Sequence, residues 1–171
     1  MANKIIGILK FVPYVASTEF FSSWLGSVLL GHDALADHVP WITFEARKWL
    51  TDYLKPDMSV FEYGSGGSTI FFSKRVKEVI SVEHDKYWYH IVSTEIAKEH
   101  ITNCKLLLRE PERGILTKQI ISDPESYLSA LPKYQGMNFK SYATSIREFS
   151  DESFDLVFID GRARPSCMLM R

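Results

Sequence analysis

The chain has 171 residues, of which 46% are hydrophobic, as is typical of one globular domain with its own core. Its 20 basic and 21 acidic residues give a formal net charge of -1, so the composition lacks the excess of positive charge that is typical of nucleic-acid-binding proteins. Its two cysteines, Cys104 and Cys167, stand in no CxxC pair or zinc-ligand spacing, which argues against a disulfide framework or a zinc site. These features favour small-molecule chemistry in a reducing compartment, which we take to be the cytoplasm.

The N-terminal segment, residues 1–38, contains two apolar stretches at 5–16 and 20–31. Each stretch is shorter than the roughly 20 apolar residues that a membrane helix needs, and Pro13 and Glu19 divide them. The cationic start and small-residue cleavage site of a signal peptide are weak. We expect helices that cover the domain, with peripheral membrane contact or homo-oligomerisation as alternatives.

From residue 39 onward, predicted helices alternate with predicted strands. A first helix is expected within residues 41–54, where apolar side chains recur at helical spacing before Pro56 ends the run. Strands are predicted at 59–63, 79–83, 105–108 and 154–159, and further helices at 68–77, 86–100 and 141–149. Asp85 is a candidate N-cap for the second of these helices. This alternation predicts an α/β fold, a Rossmann-like parallel sheet with flanking helices.

Residues 110–136 interrupt this alternation. They are polar, contain Pro111, Pro124 and Pro132, and lack sustained periodicity. We interpret them as a long insertion, a candidate lid, with one short helix at about 127–131. The prediction is therefore one domain over residues 39–171 that carries an insertion at about 110–136.

A glycine turn follows the first predicted strand and reads Gly64-Ser65-Gly66-Gly67-Ser68. Ligands of parallel α/β sheets bind at this edge, outside the carboxyl ends of the strands. Glycine suits the position because it tolerates positive φ and lets the backbone touch a ligand. The helix that starts near Ser68 would direct free amides at an anionic group.

The residues around this turn favour one kind of nucleoside ligand. A dinucleotide fingerprint wants glycine or alanine where Thr69 stands, and a carboxylate at Glu62 would repel a pyrophosphate while suiting an ammonium group. Glu83 lies about 20 positions after Gly64, where an acid reaches the ribose hydroxyls. A ligand with a carboxylate, an ammonium and a ribose fits better than NAD, and S-adenosylmethionine is such a ligand. The alternative interpretation is a structural turn beside a solvated surface acid.

Three runs together resemble the class I S-adenosylmethionine-dependent methyltransferases: VFEYGSGGST at 60–69, VEHD at 82–85 and VFIDGR at 157–162. Within that group the chain is similar to bacterial methyltransferase-domain proteins, over roughly residues 39–168. The cofactor-binding residues that the resemblance implies are Glu62, Gly64, Ser65, Gly66, Ser68, Glu83 and His84. Among these, Glu62 would face the methionine amino group, directly or through water, while Glu83 would hold the ribose and His84 would lie beside the adenine.

The resemblance also implies catalytic positions at Asp160 and Arg162, after the fourth strand. Asp160 would act as a general base or orient the acceptor, and Arg162 would pair with an acidic acceptor. The alternative is an N-capping aspartate followed by a solvated arginine. Methyl transfer from a sulfonium depends chiefly on in-line positioning, so little acid–base help is needed. The histidines form no ligand spacing with carboxylates, and no metal site is predicted.

A complete member of that family has seven strands, whereas only four are predicted here. About ten residues follow Gly161, fewer than a crossover and another strand would take. We expect a fragment truncated after the fourth strand; the alternatives are a partner copy that covers this strand, or a non-catalytic module. The predicted function is transfer of a methyl group to a small-molecule acceptor, with oxygen as the guess for the accepting atom. A non-catalytic S-adenosylmethionine-binding or interaction module is the alternative, and an NAD-dependent oxidoreductase is less favoured.

Overall fold

The computed structural model describes residues 33–113 and 121–170, so the two apolar stretches predicted to form N-terminal helices lie outside the described residues. In chain order, the strands of the described part are β1 (Ser59–Tyr63), β2 (Glu78–Glu83), β3 (Cys104–Leu108), β4 (Glu112–Arg113), β5 (Met137–Asn138) and β6 (Leu156–Ile159). Four of them form a parallel sheet in the order β3-β2-β1-β6, and β4 pairs with β5 in a small antiparallel sheet. The predicted Rossmann-like parallel sheet is confirmed.

The described α-helices are α1 (Phe44–Tyr53), α2 (Gly67–Ser73), α3 (Lys86–Lys98), α4 (Lys140–Ala143) and α5 (Arg164–Met168). At the start of α1 the Thr43 hydroxyl accepts a hydrogen bond from the Ala46 amide, and the helix ends before Pro56, whose ring disfavours helical backbone in the preceding residue. Asp85 caps α3 as predicted, since its carboxylate accepts hydrogen bonds from the first amides of the helix. The predicted helix at 141–149 is α4 followed by a 3₁₀ turn, Thr144–Glu148.

The insertion differs from its prediction. The helix expected at about 127–131 was wrong: two 3₁₀ turns, Pro124–Ser126 and Pro132–Tyr134, stand on either side of it. Each begins at a proline, whose fixed φ suits a first turn, and the left-handed backbone of Tyr127 ends the first one. Leu128 and Tyr134 are buried, so the described part of the insertion packs into the body of the protein.

Side chains from β1 alternate between two cores because successive residues of a strand point to opposite faces. Phe61 and Tyr63 pack on one face with the insertion and α4, while Val60 packs on the other with Leu50 and Phe72 from α1 and α2. Each large apolar side chain that is fully buried contributes about 1.5–3 kcal/mol. With both faces covered, the carboxyl edge of the sheet is where a ligand can reach the strands.

The register of the sheet brings three chain segments to that edge. Tyr63 of β1 lies opposite Val82 of β2 and Ile159 of β6. Neighbouring strands are about 4.8 Å apart. Gly64, Glu83 and Asp160, which follow these residues, therefore meet at one end of the sheet.

Candidate functional site

The turns after β1 and β6 touch through two glycines. Gly64 has a φ of +93°, and a Cβ built on it would lie 2.7 Å from the Cα of Gly161. A Cβ on Gly161 would collide with the Tyr142 hydroxyl and would lie 3.0 Å from the Tyr63 carbonyl oxygen. Any side chain at either position would push the two turns apart.

The next two glycines of the turn have different roles. Gly66 is extended, with a φ of 167°, and a Cβ there would meet nothing within 4 Å. The backbone of Gly66 therefore faces open space at the edge of the sheet. A Cβ on Gly67 would instead collide with the Ala34 carbonyl and lie 2.5 Å from the Val39 carbonyl oxygen. Gly67 therefore lets the segment 33–39 lie across the start of α2.

A cavity of about 400 Å³ opens at this edge of the sheet. That volume is within the usual range for small-molecule sites. All the predicted site residues except Glu62 line it, together with side chains from α3, the insertion and the segment before α1. The lining residues are Asp33, Ala34, Leu35, Val39, Trp41, Gly64, Ser65, Gly66, Gly67, Ser68, Glu83, His84, Asp85, Tyr87, Trp88, Lys133, Tyr134, Asp160, Gly161 and Arg162.

Glu83 is the buried anion of this cavity, with 2% of its side chain exposed. Its Oε2 accepts hydrogen bonds from the amide and the hydroxyl of Ser65, at 3.0 and 2.9 Å. Its Oε1 accepts from the amides of His84 and Asp85, at 2.8 and 2.9 Å. Glu83 is therefore no solvated surface acid, because it ties the glycine turn to the start of α3.

These donors decide the charge of Glu83. Burial alone would raise its pKa, but the hydrogen bonds from His84, Asp85 and Ser65 and the charge interaction with His84 outweigh burial, and the net pKa lies below its ordinary value. The His84 ring lies beside it, with Nδ1 2.8 Å from Oε1, although this contact is poorly aligned for a hydrogen bond. The other ring nitrogen is 2.8 Å from the Tyr134 hydroxyl. Glu83 is accordingly ionised at neutral pH.

Glu62 lies beneath the turn, outside the cavity wall, and is fully buried. Its Oε2 accepts hydrogen bonds from the hydroxyls of Thr69 and Ser81, both at 2.6 Å, and Thr69 Oγ1 also accepts one from the Gly66 amide. Burial raises the pKa of Glu62 to about 7. That Glu62 faces a ligand amino group, directly or through water, stays a prediction. Its raised pKa weakens the predicted repulsion of a pyrophosphate, because that repulsion requires an ionised carboxyl.

Asp160 and Arg162 line the cavity on the β6 side. Asp160 Oδ1 accepts a hydrogen bond from Arg164 Nη2 at 2.7 Å, and burial raises the Asp160 pKa although Arg164 and Arg162 oppose that shift. Ala163, not Asp160, stands at the N-cap of α5, so the capping alternative for Asp160 is wrong. Within the described residues the Arg162 guanidinium makes no ion pair, and its buried Nε has no hydrogen-bond acceptor. Its charge acts on the neighbouring Asp160 carboxyl at the cavity wall without forming an ion pair with it.

A solved structure shares this fold, with a TM-score above 0.5. It is a methyltransferase-like protein from Silicibacter pomeroyi, which aligns at 22% sequence identity with a TM-score of 0.53 over 76% of this chain. The chain has a class I methyltransferase-like fold. It spans 64% of the length of that structure.

Two further solved structures align less well with this methyltransferase-like chain. The YcgJ protein from Bacillus subtilis has a TM-score of 0.36 at 18% identity, over 64% of this chain and 33% of its own. The 23S rRNA methyltransferase ErmE has a TM-score of 0.30 at 25% identity, over 36% of this chain and 25% of its own. No protein-family model and no curated protein sequence matches the chain.

The cavity wall also includes residues beyond the predicted site residues. Trp88 Nε1 donates a hydrogen bond to the Ser65 carbonyl at 2.8 Å, which ties α3 to the turn. Lys133 lies 3.6 Å from Asp85 across the cavity mouth. Trp41 is 79% exposed at the rim. The aromatic run Tyr87-Trp88-Tyr89, shortly after Glu83, is a sequence signal for Trp88, whereas the polar insertion gives none for Lys133.

The segment 33–39 is held in place by a charged cluster. His38 Nε2 lies 2.9 Å from Glu95 Oε1, and Lys74 Nζ lies 2.7 Å from Glu99 Oε2. His38, Glu95 and Glu99 together have the donor types of a metal site, which their sequence separation concealed. Because Lys74 and Lys98 already pair with the two carboxylates, we interpret the cluster as an ion-pair network.

In the part of the chain described here, no helix has the length and apolar character required to span a bilayer.

Proposed function

We propose that the chain binds S-adenosylmethionine in this cavity and transfers its methyl group to a small-molecule acceptor. The observation that carries the proposal is Glu83, an ionised carboxylate that joins the glycine turn to α3 beside the cavity. An acid at this strand end is placed for ribose hydroxyls. The bare backbone of Gly66 leaves room for a ligand to pass over the turn.

The charges along the sheet edge suggest how the ligand lies. With the ribose at Glu83 and the base toward Trp88 and His84, its other end crosses the turn toward Asp160 and Arg162. Two strand spacings, about 10 Å, separate these ends. Asp160 would orient the acceptor, and Arg162, which makes no ion pair among the described residues, favours an acceptor with an acidic group, here proposed to accept through oxygen.

The chemistry asked of the protein is modest. The bound cofactor supplies an electrophilic methyl group, and transfer needs an acceptor held in line with it. The chain contributes fixed positions: Glu83 at one end, the Gly64–Gly161 contact in the middle, and Arg162 at the other end. Glu62 acts on the turn through Thr69.

An NAD-type site is disfavoured by Thr69 rather than by the charge of Glu62. The third glycine of a dinucleotide fingerprint permits close helix–strand packing. Here the Thr69 hydroxyl occupies that space and bonds Glu62 and the Gly66 amide. A non-catalytic binding module would share the cofactor site, and only turnover separates it from an enzyme.

Titration calorimetry with S-adenosylmethionine, S-adenosylhomocysteine and NAD tests the proposal. We expect the first two ligands to bind and NAD not to bind. Glu83→Gln should weaken S-adenosylhomocysteine binding by about 1.5–3 kcal/mol, because hydrogen bonds to a charged acceptor are lost. Glu78→Gln, an exposed acid at the other end of β2, is the matched control. Binding of NAD alone would contradict the proposal.

Turnover is measured separately, as S-adenosylhomocysteine formed with a panel of small hydroxy acids and their neutral esters. We expect the acids to be better acceptors because of Arg162. Binding without turnover on any acceptor would favour the non-catalytic module.

The two free cysteines, Cys104 and Cys167, whose thiol pKa values burial raises to about 12, fit the proposed cytoplasmic location.

A further inference from the structure

The acceptor capacity of Glu83 is already full. An ionised carboxylate offers about four lone-pair sites. Four donors use them: the amide and hydroxyl of Ser65 on Oε2, and the amides of His84 and Asp85 on Oε1. A ribose hydroxyl therefore finds no open site on Glu83 unless one of these donors leaves.

Only one of the four donors is free to leave. The amide of Ser65 is fixed by the turn, whose neighbour Gly64 is held between β2 and Gly161. The amides of His84 and Asp85 are fixed by the end of β2 and by the N-cap of α3. The Ser65 hydroxyl, by contrast, rotates about a single side-chain bond and borders the cavity.

We propose that the Ser65 hydroxyl is a built-in competitor for the ribose. In the free protein it satisfies Glu83 Oε2 at 2.9 Å, and on binding it yields that site to a ribose hydroxyl. Ser65 thereby lowers the affinity of the cavity for nucleosides and reduces the advantage that a ribose hydroxyl gives a ligand. The inference rests on the proposed function, because it requires the ribose to lie at Glu83.

The test compares wild type with Ser65→Ala in titrations of adenosine, 2′-deoxyadenosine, 3′-deoxyadenosine and S-adenosylhomocysteine. Removing the competitor should tighten adenosine and S-adenosylhomocysteine binding by about 10-fold, roughly the scale of one hydrogen bond to a charged acceptor. The deoxynucleoside that lacks the bonding hydroxyl should show no gain. A merely structural role of Ser65 would change all four affinities in the same direction.

Ser73→Ala is the matched control, because Ser73 is an equally buried serine whose hydroxyl donates to the Thr69 carbonyl outside the cavity. It should not alter the ratio of adenosine to deoxynucleoside affinity. If Ser65→Ala does not fold, Ser65→Cys replaces it, since a thiol is a weaker donor and should give a smaller gain.

The outcomes separate this inference from the proposed function. Unchanged or weaker adenosine binding by the Ser65 variants, or an equal gain for all three nucleosides, would overturn the inference while wild-type binding of S-adenosylhomocysteine leaves the proposed function standing. Failure of wild type to bind S-adenosylhomocysteine or adenosine would overturn the proposed function, and the inference with it.

Discussion

Glu62 and Glu83 are buried one strand apart at the same edge of the sheet, yet their surroundings are opposite. Glu62 has two hydroxyl donors on Oε2, while its buried Oε1 has no partner among the residues that the structure describes. Its pKa is raised to about 7 by burial. Glu83 is almost as buried, but the His84 side chain, the Asp85 amide and the Ser65 side chain outweigh the effect of burial and hold its pKa below the ordinary value. The donors and charges around each carboxyl, rather than burial alone, decide the direction of its pKa shift.

The largest change in stability should come from removing the Glu83 carboxylate, all of whose acceptor sites are occupied. Glu83→Ala leaves four donors at the turn and the α3 start without their acceptor, and unsatisfied buried groups cost about 1–3 kcal/mol each. Since water from the cavity reaches some of them, we expect a loss of about 4 kcal/mol in the free energy of unfolding, measured with urea. Glu78→Ala, at the exposed start of β2, should change it by less than about 0.5 kcal/mol. Similar losses for Glu83→Ala and Glu78→Ala would show that the four hydrogen bonds of Glu83 do not stabilise the fold.

The second prediction concerns the pH dependence of stability. The folded-state pKa of Glu62, about 7, lies above its ordinary value of 4.5, so the folded protein holds an extra proton between these values. This contribution is complete below about pH 4.5 and is lost as the pH rises through about 7. The loss should amount to about 3 kcal/mol.

The measurement for Glu62 is the difference in unfolding free energy between wild type and Glu62→Gln from pH 5 to 8.5. Glutamine does not titrate, so the slope that wild type shows should disappear from the variant. A difference that is constant across this range would show that Glu62 is ionised throughout, like Glu83.

The Thr69 hydroxyl joins Glu62 to the Gly66 amide. Removing this hydroxyl tests whether Glu62 stabilises the glycine turn through Thr69. Thr69→Val keeps the shape but leaves the amide without its acceptor, and we expect a loss of about 2 kcal/mol at pH 8. The loss should be smaller at pH 5, where Glu62 is protonated. Thr69→Ser, which retains the hydroxyl, is the control, and equal losses for both variants would point to packing alone.

The smallest effect is expected at the third acid of the edge. Asp160 pairs with the half-exposed Arg164, and an exposed pair of this kind contributes about 0.5 kcal/mol. Arg164→Gln should therefore barely change stability but should raise the Asp160 pKa further, because one of two opposing cations is removed. Carboxyl NMR titration of Asp160 measures this shift. An Asp160 pKa that does not rise would show that Arg164 does not stabilise the Asp160 carboxylate.

The four-stranded sheet could be predicted from the sequence because its strands are short apolar runs, three of which are closed by Gly64, Glu83 or Asp160. Glu83 was found through its spacing from Gly64, but its saturation could not be, since Ser65 reaches it only after the turn has folded back. The position of Glu62 beneath the turn also had a signal in the sequence. Glu62 alternates with Phe61 and shares a face with Val60, the face that α2 covers. The insertion gave no periodicity from which its packing could be predicted.

The bare α-carbon of Gly67 also bears on where this pocket begins in the chain. Because the segment 33–39 lies against Gly67, and its residues line the cavity, one wall comes from sequence ahead of the predicted domain start. A chimera that transplanted only the strands and helices from α1 onward would carry the glycine turn and Glu83 with one side of the pocket open to water. A transplant that keeps the pocket closed on this side must therefore include segment 33–39 together with the sheet.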